Sequence, residues 1–165
     1  MSQTNVPEPG TLLKVIEGKE ALNVFFGFDQ KTIKALAALG FNLYQQGKSK
    51  DAETIFQGLI ALDSRQYYGW AGMGALALSQ EKTDDAVGYL QKAAELNPKD
   101  PTILANLGEA LLRQSKFDEA AKVLDKALDL DPNGVDPGTN RARAILTGME
   151  ILVTEMKRMG GVPNA

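Results

Sequence analysis

The stretch Pro101 to Gly134, PTILANLGEALLRQSKFDEAAKVLDKALDLDPNG, follows the same pattern as the stretch before it, Tyr67 to Asp100, YYGWAGMGALALSQEKTDDAVGYLQKAAELNPKD. A third copy precedes both: Ile33 to Gln66, IKALAALGFNLYQQGKSKDAETIFQGLIALDSRQ. Gly40, Gly74 and Gly108 are spaced 34 residues apart, and so are Ala52, Ala86 and Ala120. Gln46, Gln80 and Gln114 keep the same step, as does the bulky column Phe56, Leu90 and Leu124. Columns that recur without a slip define a repeated unit, and a unit of this length cannot bury its apolar face alone.

The period and the columns resemble those of the tetratricopeptide repeat. The third unit carries the fullest pattern, with Leu104, Leu107, Gly108, Leu111, Phe117, Ala120, Leu124, Ala127 and Pro132. Each unit reads as two antiparallel helices, A and B. Small residues in the glycine and alanine columns let A and B approach closely, against a propensity cost of about 1 kcal/mol for each helical glycine. Residues 46–49, 80–83 and 114–117 form the turns. Pro98 and Pro132 end helix B, because the ring removes a donor and clashes with the preceding turn. The first unit departs from the pattern at Leu59 and Ser64, which predicts a looser junction there. The expected fold is all-α: three units (33–66, 67–100 and 101–134) stacked in a right-handed superhelix.

Both ends of the array need covering. Ala142, Ile145, Leu146, Met149, Leu152, Val153 and Met156 recur at helical spacing and predict a capping helix within residues 135–159, stopped by Gly160-Gly161. Upstream, residues 11–32 hold a helical candidate over Thr11 to Phe28. Its apolar residues Leu12, Leu13, Ile16, Leu22, Phe25 and Phe26 exceed what a cap needs. They read either as burial against the first unit or as a homodimer interface. Residues 1–10 read as a disordered N-terminus and 160–165 as a tail.

Composition closes most catalytic routes. The chain has 165 residues, 44% hydrophobic, with a formal net charge of −3 and neither cysteine nor histidine. The usual base of neutral-pH catalysis is missing, together with thiol nucleophiles, disulfides and Cys-type zinc sites. A weakly acidic chain with dispersed Lys and Arg lacks the basic stripe of a nucleic-acid binder. No secretory signal pattern and no apolar run of about 18 residues occurs, so a cytosolic protein without direct membrane binding is expected. No enzyme activity and no cofactor are expected.

The remaining surface of helix A points to peptide binding. One face carries Phe41, Tyr44 and Gln45 in the first unit, then Tyr68, Ala71, Ala75 and Leu78 in the second. The third contributes Ala105, Glu109 and Leu112. In stacked repeats this face is concave. Large apolar walls separated by alanines suit an extended peptide whose side chains drop into pockets. The acidic-tail mode of some tetratricopeptide proteins is not supported, since Ala37, Phe41, Gly72 and Thr102 stand where its cationic and amide residues would be.

Residues 39–86 carry a closer resemblance, to the tetratricopeptide class II chaperones of bacterial type III secretion. The matching positions are Phe41, Asn42, Tyr44, Gly47, Lys48, Asp51, Ala52, Phe56, Gln57, Leu59, Leu62 and Asp63. The resemblance implies a bacterial cytoplasmic chaperone. Its groove would hold a short extended segment of a hydrophobic translocator protein and prevent premature aggregation or membrane insertion. It also implies that the N-terminal helix mediates homodimers. A scaffold or adaptor of another multiprotein assembly is the alternative.

Three other features imitate chemistry. Asp129, Asp131, Asn133 and Gly134 resemble the opening of a calcium loop, but Asn140 stands where the closing Glu is required, so no metal site is expected. Asp84-Asp85 and Asp118-Glu119 begin helix B, where carboxylates favour the helix N-terminus. Trp70 and Tyr89 fall on packing positions.

Overall fold

The computed structural model describes residues 9–159, and every regular element among them is a helix. Six helices form the three units: α3 (Gln30–Gln45) with α4 (Ser49–Leu62), α5 (Tyr67–Ser79) with α6 (Thr83–Leu96), and α7 (Pro101–Arg113) with α8 (Phe117–Leu130). They are preceded by α1 (Pro9–Ile16) and α2 (Leu22–Phe25) and followed by α9 (Pro137–Arg158). The single helix expected over Thr11 to Phe28 is divided. Gly18 adopts a left-handed φ of 71° and the chain turns between α1 and α2. Residues 1–8 and 160–165, expected to be terminus and tail, lie outside the described set.

One turn is used three times. The N–H of Lys48, Lys82 and Lys116 donates to the carbonyl of Leu43, Ala77 and Leu111 at 2.9, 2.9 and 3.0 Å. The preceding residues, Gly47, Glu81 and Ser115, donate to Tyr44, Leu78 and Leu112. This is the Schellman arrangement, which requires a left-handed residue after the helix cap. The three residues there have φ of 75°, 60° and 60°.

The repeated columns meet inside each pair. Phe56, Leu90 and Leu124 are fully buried beneath the glycines of helix A. A Cβ on Gly74 would fall 2.5 Å from Leu90 Cγ, so only glycine admits that contact without displacement. Between units the packing is continuous: Leu78 of α5 is buried with Leu107 and Leu111 of α7, and Ala105 with Leu124 and Ala142.

The junction after the first unit is tied, not loose. Asp63, buried at the end of α4, accepts from the Arg65 backbone N–H at 3.1 Å and from Arg65 Nε at 3.0 Å. Trp70 Nε1 donates to the Ser64 carbonyl at 2.8 Å. These polar contacts do the work that a proline does after the second and third units.

The two ends are finished differently. At the front, α2 packs against α4 and leaves part of α3 uncovered. Leu39 is therefore 46% exposed, whereas its counterparts Met73 and Leu107 are buried by the preceding unit. At the back, Asp136 caps α9 by accepting from Gly138 and Thr139, as Asp100 caps α7 by accepting from Thr102 and Ile103. Thr139 Oγ1 donates to the Ala127 carbonyl, and Thr139 and Ala142 are fully buried.

Two details of α9 differ from the sequence reading. The pairs Asp100-Pro101 and Asp136-Pro137 are 36 residues apart, not 34, so α9 docks two positions out of step and Arg141 takes the column of Ala37, Ala71 and Ala105. The sealing stripe also ends at Met149. Leu152, Val153 and Met156 are exposed, because 22 residues of α9 run about 33 Å while the 14 of α8 run about 21 Å.

Candidate functional site: the inner face of the array

Helices α3, α5 and α7 line the inner face of a stack of this kind. Its aromatic end is built in the first two units. The Phe41 ring lies 5.0 Å from Phe56, which anchors it on the core while leaving it half-buried. Tyr44 is half-buried one turn further along, and Gln45 is exposed beside it. Tyr68 is half-buried and its ring centroid sits 4.1 Å from that of Tyr67. Burial, and then the neighbouring Tyr68 hydroxyl, push the Tyr67 phenol above its ordinary pKa, so it remains protonated at neutral pH.

The middle is smoother than the sequence suggests. Ala75 and Leu112 are half-buried and reach the surface. Ala71, Leu78 and Ala105 do not: they lie buried in the contacts between neighbouring units. The 34-residue columns give these side chains their position on helix A, and the close approach of consecutive A helices turns them into packing between units.

The far end is charged. Glu109 Oε1 accepts from Arg113 Nη2 at 2.7 Å, and Glu109 Oε2 accepts from Arg141 Nη2. Arg113 Nη1 donates to the Leu78 carbonyl at 2.9 Å, and Arg141 Nη1 to Asn106 Oδ1 at 2.7 Å. Sequence reasoning placed Glu109 here and missed Arg141. The 36-residue spacing of the two Asp-Pro pairs was the available clue.

A second apolar surface lies at the front. Leu13, Ile16 and Phe26 are exposed and Leu22 and Phe25 half-buried, with the Phe26 ring 5.3 Å from Phe25 and 6.1 Å from Phe28. The side chain of Leu12 lies outside the described set. Among the described residues no acidic cluster suited to a metal ion occurs, and no helix is long and apolar enough to cross a membrane.

The tetratricopeptide repeat family model matches residues 37–101 and 72–135. Among solved structures, PcrH from Pseudomonas aeruginosa is 30% identical, with a TM-score of 0.63, covering 73% of this chain and 92% of its own. The type III secretion translocator chaperone SycD of Yersinia enterocolitica, in complex with a peptide of the translocator YopD, is 28% identical. That match has a TM-score of 0.64 and covers 78% of this chain and 97% of SycD. The chain belongs to the tetratricopeptide-repeat translocator chaperones of type III secretion. A type III secretion complex from Aeromonas hydrophila is similar over 92% of the chain and 99% of its own, at 25% identity and a TM-score of 0.69. PcrH has also been solved with the chaperone-binding region of PopB, and SycD in an alternative dimer. No curated protein matches the chain by sequence.

Proposed function

We propose that the chain is a bacterial cytoplasmic chaperone that holds a short extended apolar segment of a hydrophobic translocator on its inner face. Holding the client there would keep it from aggregating or inserting into membrane before secretion. The observation that carries this reading is that the aromatic side chains of Phe41, Tyr44 and Tyr68 are half-exposed while packed against the core of the first unit. Three apolar anchors at roughly 2 kcal/mol each give about 6 kcal/mol before the ordering of the peptide is subtracted, which corresponds to an affinity no tighter than tens of micromolar from these anchors alone. The SycD and PcrH complexes with translocator segments support the same mode. The mechanism is passive: surface is covered and later released, with no bond made or broken.

The exposed Leu13, Ile16 and Phe26 form the proposed homodimer contact, with the SycD dimers as support.

The test is co-expression with a hydrophobic type III secretion translocator from the same organism. Phe41→Glu and Tyr44→Glu should each release the client into the insoluble fraction while leaving far-UV circular dichroism unchanged. A client that stays soluble and bound to both variants would sink the groove assignment.

A further inference from the structure

The inner face changes chemistry along its length, from Phe41, Tyr44 and Tyr68 at one end to Arg113, Glu109 and Arg141 at the other. Three members of the small-residue column, Ala37, Ala71 and Ala105, are buried, but the fourth is Arg141, whose side chain is 49% exposed. Two guanidiniums flank one carboxylate, so this cluster carries one unbalanced positive charge. A guanidinium has five N–H donors. Arg113 directs its terminal nitrogens at the Leu78 carbonyl and Glu109, and Arg141 directs its own at Asn106 and Glu109. The remaining N–H groups of both side chains have no acceptor among the described residues, and the Arg113 side chain is 40% exposed. Buried Asn106 holds the Arg141 guanidinium in place before any ligand arrives. Such preorganisation lowers the ordering cost of binding.

We propose that this end of the groove is a carboxylate subsite. An acidic side chain or a terminal carboxylate of the client segment docks on Arg141 and Arg113 beside Glu109, while apolar residues of the same segment occupy the aromatic end. The inference rests on the groove reading above and adds a charge requirement to it. Glu109 orients the two arginines and also competes with the incoming carboxylate for them. Removing its charge therefore strengthens the preference for an acid, whereas a purely structural ion-pair cluster would show no such effect.

The test uses the full chain and fluorescein-labelled 12-residue peptides carrying three apolar residues at alternate positions. Asp, Asn or Lys is scanned through the other positions, and each peptide is made with a C-terminal acid and amide. Fluorescence anisotropy should find one position, or the C-terminus, where the acid binds about fivefold or more tighter than its neutral counterpart. Which of the two it is identifies the source of the carboxylate. Arg141→Gln and Arg113→Gln should each bring that ratio towards one, Glu109→Gln should raise it, and added salt should lower it. Peptides that bind with no acid preference at any position overturn the subsite and leave the groove reading standing. Peptides that fail to bind at all overturn both.

Discussion

The ring of Phe56 lies beneath Gly40 of its own unit and beneath Gly72 of the next, so one side chain closes the first helix pair and joins it to the second. Phe56→Ala should therefore cost about 3–5 kcal/mol in urea unfolding. Gly72→Ala should also destabilise, because its Cβ would enter that ring. The opposite sign is expected at Gly58 and Gly88, helical positions where an added Cβ meets nothing within 4 Å. Alanine at those two should add up to about 1 kcal/mol each. Equal effects at all these glycines would contradict the packing described.

Glu81 and Ser115 hold the left-handed position of the A-to-B turn that Gly47 holds in the first unit. A side chain there costs about 1–2 kcal/mol, partly offset by the greater freedom of glycine in the unfolded chain. Glu81→Gly and Ser115→Gly should each raise stability by about 0.5–1 kcal/mol, and Gly47→Ala should lower it. Thermal unfolding of the three single variants decides this.

The repeated core was legible in the sequence because every column that builds it returns at a fixed step, and the residue types state their roles: glycine where helices touch, a bulky side chain opposite, alanine beside it. The aromatic residues Phe41, Tyr44 and Tyr68 do not recur at that step, so only their place on helix A, and not their chemistry, follows from the columns. Position within a column does not report how deeply a neighbouring unit presses on it, so Ala71, Leu78 and Ala105 read as surface although they are buried. The ends obey no column. Two additional residues before α9 put Arg141 where an alanine is expected, and the placement of α2 against α4 leaves Leu39 uncovered.

Only the first half of α9 seals the array. Leu152→Lys and Met156→Lys should change stability by no more than about 0.5 kcal/mol, as surface substitutions do. Ala142→Asp, by contrast, places a charge in a fully buried site and should unfold the C-terminal unit. Chemical denaturation of the three proteins separates the two halves of the helix. A large loss from Leu152→Lys would mean that the stripe continues as a seal.

Asp29 caps α3 by accepting from the Thr32 N–H at 2.7 Å, and hydrogen bonding from Thr32 holds its carboxyl below the ordinary carboxylate range. A depressed pKa in the folded state adds stability above the unfolded value of about 3.9 and loses it as pH falls through the lower folded value. The difference in Tm between wild type and Asp29→Ala should thus be constant above about pH 5 and narrow below about pH 4. A difference that stays constant down to pH 2 would show that the carboxylate charge plays no part in the cap.

The apolar front of the chain gives the last prediction, which rests on the proposed dimer. Ile16 and Phe26 are 73% and 56% exposed, so charge at these positions should leave the fold of the repeats intact. An Ile16→Glu, Phe26→Glu double variant places like charges in a contact that two copies would share. Light scattering should then report a monomer where wild type gives a dimer, with helicity and thermal unfolding of the repeats retained. Deletion of residues 1–28 should do the same. If both proteins keep the wild-type number of subunits, the front surface does not join two copies, and its apolar residues need another partner.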